Sequence, residues 1–211
     1  MLTIALAGNP NCGKTSLFNL LTKSRQHIGN WPGVTVEKKE GTLKFKGESY
    51  KVIDLPGTYS LGAYSEDEIV ARNYILKDKP DVVINVVDAT NLERNLYLTT
   101  QLIEMGANVV IALNMIDQAE ALNIEIDTNK LSKRLGVPII KTSALKNRGI
   151  EELIETSIHS KKNEKLININ YGEDIENEIK NLSSLLETYK NKLEFPVNWT
   201  ALKLLENDEY I

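Results

Sequence analysis

Apolar and polar residues alternate in blocks along the first 160 positions. Runs rich in Val, Ile and Leu at 2–7, 82–87, 109–114 and 137–141 carry few polar interruptions, the pattern of strands buried on both faces of a parallel sheet. Between them, apolar residues recur at helical spacing. Leu92, Leu96, Leu102 and Ile103 share one face, as do Ile150, Leu153, Ile154 and Ile158. Residues 42–45 and 50–53 flank Lys46-Gly47-Glu48, which predicts a hairpin within the otherwise parallel pattern. The expectation for 1–160 is an α/β domain whose six-stranded, mostly parallel sheet is flanked by helices.

The pattern changes after His159. Residues 160–165 are polar and read as a linker. Beyond them, Ile175, Ile179, Leu182, Leu185, Leu186, Tyr189 and Leu193 repeat at helical spacing, predicting an amphipathic helix of about five turns. Pro196 interrupts it, and Trp199, Leu202 and Leu205 predict a second, shorter helix. Two helices are too few for a core of their own, so 161–211 is expected to pack on the first domain or continue into a longer protein.

Composition narrows the function. The 211 residues carry a net charge of −4, which argues against nucleic acid as a partner, because such binding is driven by cation–phosphate attraction. Most of that charge lies beyond residue 160, where seven basic residues meet ten acidic ones. One cysteine, Cys12, excludes an internal disulfide and a multi-cysteine metal site. The longest apolar runs, such as Val109-Val110-Ile111-Ala112-Leu113, fall far short of the ~20 residues of a membrane helix. No basic leader or cleavage site opens the chain, so a cytosolic location is expected.

Gly8-Asn9-Pro10-Asn11-Cys12-Gly13-Lys14-Thr15 matches G-x-x-x-x-G-K-[ST] between an expected strand and the helical run from Ser16 to Leu21. That is the context of a phosphate-binding loop. Its backbone N–H groups and the new helix's positive end would receive phosphates, Lys14 would reach the β- and γ-phosphates, and the Thr15 hydroxyl would bind Mg²⁺. Asn114-Met115-Ile116-Asp117 closes a strand. A carboxylate at 117 can accept from both N1–H and the 2-amino group of guanine, a donor pair that adenine lacks, so GTP and GDP are the expected ligands. Asn114 would brace the phosphate loop, and Thr142-Ser143-Ala144 would supply a backbone N–H for the guanine O6.

Asp54-Leu55-Pro56-Gly57 closes another strand. Asp54 there can hold Mg²⁺ through a water, and the Gly57 N–H can sense a γ-phosphate. Thr35, within Trp31-Pro32-Gly33-Val34-Thr35-Val36, is a candidate second hydroxyl on Mg²⁺, in a segment that would order with GTP and loosen after hydrolysis. The expected nucleotide contacts are Gly8 to Ser16 (Gly8, Asn9, Pro10, Asn11, Cys12, Gly13, Lys14, Thr15, Ser16), then Gly33, Thr35, Asp54, Gly57, Asn114, Met115, Asp117, Ser143, Ala144 and Leu145.

Over 1–160 these motifs, in this order, resemble the TRAFAC-type small G domain. Asn30-Trp31-Pro32-Gly33-Val34-Thr35-Val36-Glu37, Asp54-Leu55-Pro56-Gly57-Thr58-Tyr59-Ser60-Leu61 and the closing Trp199-Thr200-Ala201-Leu202-Lys203-Leu204-Leu205 resemble the bacterial ferrous iron transport protein B (FeoB) family. The resemblance implies a P-loop GTPase fold over 1–160 and an incomplete helical domain over 161–211. It also implies a membrane-embedded iron-transport domain of the same polypeptide, which would make this chain the cytoplasmic part of an inner-membrane protein. A homo-oligomer is left open.

Where many small GTPases place a water-orienting Gln, this chain has Thr58, too short for that geometry. Residues 26–36 offer no arginine finger, Arg25 lying just before them. The resemblance implies K⁺ instead, held by Asn11 and the carbonyls of Gly29 and Trp31. Asn11, Lys14, Thr35 and Gly57 are then the expected catalytic set. Two other readings remain: a ribosome-assembly or tRNA-modification GTPase, disfavoured by the acidic tail, and a nucleotide sensor with negligible turnover, which Thr58 would permit. Ser65-x-x-Glu68 reads as a capping box, with Glu66, Asp67 and Glu68 suiting a helix's first turn. Cys12, His27 and His159 read as structural.

Overall fold

The computed structural model describes residues 1–23, 26–62, 64–160, 169–193 and 195–211. The expected linker at 161–165 and Arg25 lie outside them. A sheet of seven strands runs in the order β2 (Gln26–Asn30), β3 (Glu37–Phe45), β4 (Glu48–Asp54), β1 (Thr3–Gly8), β5 (Val82–Asp88), β6 (Val109–Asn114) and β7 (Ile139–Lys141). From β4 to β7 all pairings are parallel, and β3 is antiparallel to both its neighbours.

The expected six strands are corrected to seven. Gln26-His27-Ile28-Gly29-Asn30 carries no strand signal because it is polar apart from Ile28, which β2 leaves 58% exposed. β2 forms by backbone pairing along the free edge of β3, and that leaves no hydrophobic signature.

Period-two side-chain alternation divides the central strands between two cores. Ile4 and Leu6 of β1 join Leu17, Phe18 and Leu21 of α1 (Lys14–Thr22), with Ile150, Leu153 and Ile154 of α6 (Ile150–His159). Ala5 and Ala7 face the opposite core, which includes Leu98 and Leu102 of α3 (Leu92–Glu104). The buried stripe of α3 runs through Asn95, Leu98, Thr99, Leu102 and Ile103, rotated from the expected apolar face, whose Leu92 and Leu96 are only half-buried. Its polar members are paired: the Thr99 hydroxyl donates to Asn85 Oδ1 at 2.5 Å.

Helix α2 (Glu66–Asn73) is capped by Ser65, whose hydroxyl accepts the Glu68 N–H at 3.2 Å. Glu68 itself accepts from Ser60 Oγ and the Tyr64 N–H. A π-helical turn, Tyr74–Asp78, continues α2. Two short helices the hydrophobic pattern did not predict, α4 (Ile116–Ala121) and α5 (Thr128–Leu135), follow β6.

The C-terminal helices are α7 (Glu173–Glu187) and α8 (Val197–Leu205). α7 is shorter than its apolar periodicity suggests, and a 3₁₀ turn at Lys190–Lys192 takes over. Trp199 of α8 is buried in the same core as α3. Arg72 of α2, 1% exposed, donates to Asp208 beyond α8 at 2.6 Å, with its guanidinium near the Trp199 and Tyr210 rings. The helical segment thus docks on the α/β domain, as expected of helices without a core of their own.

Removing one partner of a buried ion pair strands the other charge, at a cost of about 3–5 kcal/mol. Asp208→Ala is therefore expected to lower the urea midpoint substantially with an unchanged m-value. An unshifted midpoint would mean that Arg72 finds another partner.

Candidate nucleotide site

Parallel strands carry their C-terminal ends to one edge of the sheet. Chain order reverses about β1, which lies between β4 and β5, and such a switch point opens a ligand crevice. The phosphate loop follows β1, Asp54-Leu55-Pro56-Gly57 closes β4, Asn114 ends β6, and Thr142-Ser143-Ala144 follows β7. Four motifs far apart in sequence therefore meet at one rim.

Gly13 caps α1 with φ of 86°, and a Cβ there would come within 2.3 Å of Asn114 Nδ2, so the position requires glycine twice over. Leu17 makes the first intrahelical N–H bond, to the Gly13 carbonyl. The N–H groups of Lys14, Thr15 and Ser16 before it form an anion-attracting helix end. Asn11 is exposed, with φ of 66°. Cys12 is buried at 1% exposure, and burial pushes its thiol up to about 11, which leaves it a packed, protonated side chain. Asn9 is also buried, with its Oδ1 unpaired. Pro10 lies against Gly57, where an added Cβ would stand 3.5 Å from Pro10 Cα.

Lys14 Nζ meets Asp54 Oδ1 at 2.5 Å. Burial raises the Asp54 carboxyl above the ordinary range, and the Lys14 ammonium opposes that rise. Asp54 already holds one cation, and with the Thr15 hydroxyl on the adjacent helix turn it offers the all-oxygen donor set that Mg²⁺ takes alongside phosphate oxygens. These residues fit the ion. Thr35 is exposed, its hydroxyl 3.5 Å from Glu66 Oε2. Gly33 turns with φ of 79°.

Asn114 links two loops at this rim. Its Nδ2 donates to the Cys12 carbonyl at 3.0 Å, and its Oδ1 accepts the Ala144 N–H at 3.0 Å. The bracing role is thus two-sided, and it has a consequence for the O6 contact. Ala144's N–H is already taken, whereas Leu145 is 85% exposed at the next position. Met115 adopts φ of 59° to start α4, placing Asp117 in its first turn. The Ser143 hydroxyl and then the Lys146 ammonium, 3.4 Å away, hold the Asp117 carboxyl below the usual range.

Gly29 is laddered opposite Lys38, and the Trp31 carbonyl accepts the Val34 N–H at 3.3 Å. Trp31 is a packing anchor: it is buried edge-on to Tyr74, ring centroids 5.2 Å apart. Thr58 is 4% exposed, and its N–H donates to the Gly8 carbonyl at 3.3 Å.

Sequence reasoning missed two residues that fix the segment after Gly57. Gln101 Oε1 accepts the Leu61 N–H at 2.7 Å, and the Arg94 guanidinium lies 4.1 Å from the Tyr59 ring centre. Neither belongs to a motif, and both act across more than thirty residues of chain. Among the described residues, no helix is long and apolar enough to cross a membrane, and no group of three or more acidic, His or Cys side chains could hold a metal.

Comparison with known proteins gives consistent matches. The family described as ferrous iron transport protein B matches residues 2–157, and the FeoB cytosolic helical domain matches residues 171–211. The Fe(2+) transporter FeoB of Escherichia coli (strain K12) is 47% identical over 216 residues, covering 99% of this chain and 27% of that protein. That of Methanocaldococcus jannaschii is 53% identical over 208 residues, covering 99% and 31%. This chain therefore spans less than a third of the length of these relatives.

Among solved structures, the cytosolic domain of the T. maritima FeoB iron transporter in GMPPNP form superposes with a TM-score of 0.93 at 46% identity, covering 99% of this chain and 82% of that one. A mutant of S. thermophilus NFeoB bound to GDP gives 0.91 at 46% identity, covering 100% and 81%. The α/β P-loop GTPase fold expected from the motifs is the one these structures share.

Proposed function

The chain belongs to the ferrous iron transport protein B family, and from that premise we propose that it binds GTP, hydrolyses it to GDP and phosphate, and passes the nucleotide state to a membrane-embedded iron-transport domain. In this reading residues 1–160 form the G domain and 161–211 the helical domain. The whole is the cytoplasmic part of an inner-membrane protein, with ferrous iron as the transported cargo.

One observation carries the nucleotide assignment. Asn114 ties the phosphate loop to the Thr142–Ala144 turn while Asp117 stands beside it, held ionised by Ser143 and Lys146. Phosphates would sit on the N–H groups at the start of α1, with Lys14 leaving Asp54 to pair with them. The guanine edge would meet Asp117, and the free N–H after Ala144, that of Leu145, is the better placed donor for O6. Thr15, Asp54 and Thr35 would hold Mg²⁺, which neutralises charge on the β- and γ-phosphate oxygens. Thr35 must exchange Glu66 for that position, which makes the first switch responsive to the γ-phosphate. Gly57, lying on Pro10, offers its N–H to the same group.

Hydrolysis consists of water attack on the γ-phosphate, and the protein supplies positioning and charge. Thr58 is buried and bound to the phosphate loop through its backbone, so it does not orient the water as a Gln would. The counter-charge would be K⁺, with Asn11 and the carbonyls of Gly29 and Trp31 as the groups that would hold it. Those carbonyls lie in a strand and a turn in this structure, so the first switch has to leave β2 before they face the phosphate loop. Electrostatic stabilisation of this kind is worth about 3 kcal/mol, roughly a hundredfold in rate. Phosphate release is expected to be faster in KCl than in NaCl at matched ionic strength, and Asn11→Ala should remove the difference while keeping GDP affinity. A full potassium response in Asn11→Ala would place the cation elsewhere, and negligible turnover of the parent in both salts would favour a nucleotide sensor.

A further inference from the structure

The segment after Gly57 is tied down at three points. The Thr58 N–H donates to the Gly8 carbonyl, and the Leu61 N–H donates to the buried Gln101. Between them, Tyr59 lies under the guanidinium of Arg94, 4.1 Å from ring centre to Cζ. Arg94 sits in the first turn of α3, and its carbonyl stands 3.5 Å from Nδ2 of Asn9 in the phosphate loop. Among the described residues no carboxylate pairs with Arg94, so the ring is its charge partner. Tyr59 is 42% exposed.

We propose that Arg94 is a positioning residue for GTP hydrolysis. Clamped on Tyr59 and joined to Asn9, it holds the Gly57–Thr58 backbone in register with the phosphate loop. This rests on reading the chain as a GTPase. Because residue 58 is not a glutamine, the attacking water is placed by main-chain groups, whose position depends on how firmly the segment is held. A misplacement of about 1 Å in such a constellation costs roughly a hundredfold in rate. A planar guanidinium stacks on a ring in a way that an ammonium does not, so the role is specific to arginine. The direction of action matters as well: Arg94 works through Tyr59 and does not touch phosphate.

The test uses the whole chain with GTP and Mg²⁺ in KCl. Arg94→Ala and Tyr59→Ala are each expected to lower kcat tenfold or more while GDP affinity stays within about twofold. The double variant should fall no further, because the two side chains act as one unit. Arg94→Lys should behave like Arg94→Ala, and Tyr59→Phe, which keeps the ring, should follow the parent. With GDP bound, amide hydrogen exchange at 57–62 should speed up in Arg94→Ala and Tyr59→Ala alike.

Unchanged kcat in Arg94→Ala overturns the proposal. So does a drop in Arg94→Ala that Tyr59→Ala does not reproduce, which would mean direct action on phosphate. A parallel loss of GDP affinity overturns it too, since that marks a merely structural residue. The exchange measurement does not depend on turnover: a parent chain that fails to hydrolyse GTP removes the GTPase reading, while unchanged exchange in both variants removes the clamp.

Discussion

Asp117→Ala is expected to bind GTP roughly 10²–10³-fold more weakly than the parent and to lose its preference over ATP, because two charge-assisted hydrogen bonds disappear together. In the parent, adenine would leave the carboxylate facing an acceptor where guanine presents two donors, and mismatches of buried polar groups discriminate strongly. The Ser143 hydroxyl and Lys146 ammonium hold Asp117 below the ordinary carboxylate range. It therefore keeps its charge to lower pH than a free aspartate does, and the guanine preference should persist to correspondingly more acid solution. Competition titrations of GTP and ATP against a fluorescent guanine nucleotide measure both effects. Equal affinities in the unmutated chain would sink the guanine assignment.

Lys14→Ala has two separable consequences. Loss of a charge facing the β- and γ-phosphates should weaken GTP binding by about 2–5 kcal/mol, the usual cost of truncating one partner of a desolvated charge pair. The second consequence concerns the stability of the fold. Lys14 is the ammonium on Asp54, 2.5 Å away, and Asp54 is 6% exposed. Without it a buried carboxylate loses its counter-charge, so the variant should also be less stable.

The Asp54 carboxyl is already raised by burial, and the folded state therefore holds its proton more tightly than the unfolded chain does. Stability from that proton is fully present below the unfolded value of about 3.9 and is lost as the pH rises through the folded value. The deficit of Lys14→Ala should be largest at neutral pH and shrink towards acid. Asp54→Asn in the Lys14→Ala background removes the stranded charge and should recover urea stability without recovering GTP affinity. A double variant as unstable as Lys14→Ala would mean that Asp54 is not the cause.

Much of this was legible in the sequence because it depends on local chemistry. A phosphate loop needs glycine at 13 for a left-handed turn and a lysine next to it, and those residues are contiguous. Strands buried on both faces advertise themselves by apolar runs with few polar interruptions, so β1, β5 and β6 were readable to within a residue or two. Asn114 and Asp117 follow from spacing alone, and they stand at the end of β6 and in the first turn of α4.

What the sequence did not reveal depends on partners that lie far along the chain. β2 is held by backbone pairing with β3, which has no residue code. The occupied Ala144 N–H follows from how Asn114 turns, and Trp31 became a packing residue only when Tyr74 closed on it. The Lys14–Asp54 pair spans forty positions and the Arg72–Asp208 pair far more. Amino-acid order by itself determined which chemistry is present and the strands that carry it, because those follow from neighbours in the chain. Which polar atoms are already taken, and which are left for a nucleotide, was decided only by tertiary structure, because a hydrogen bond or ion pair depends on distances that folding alone creates.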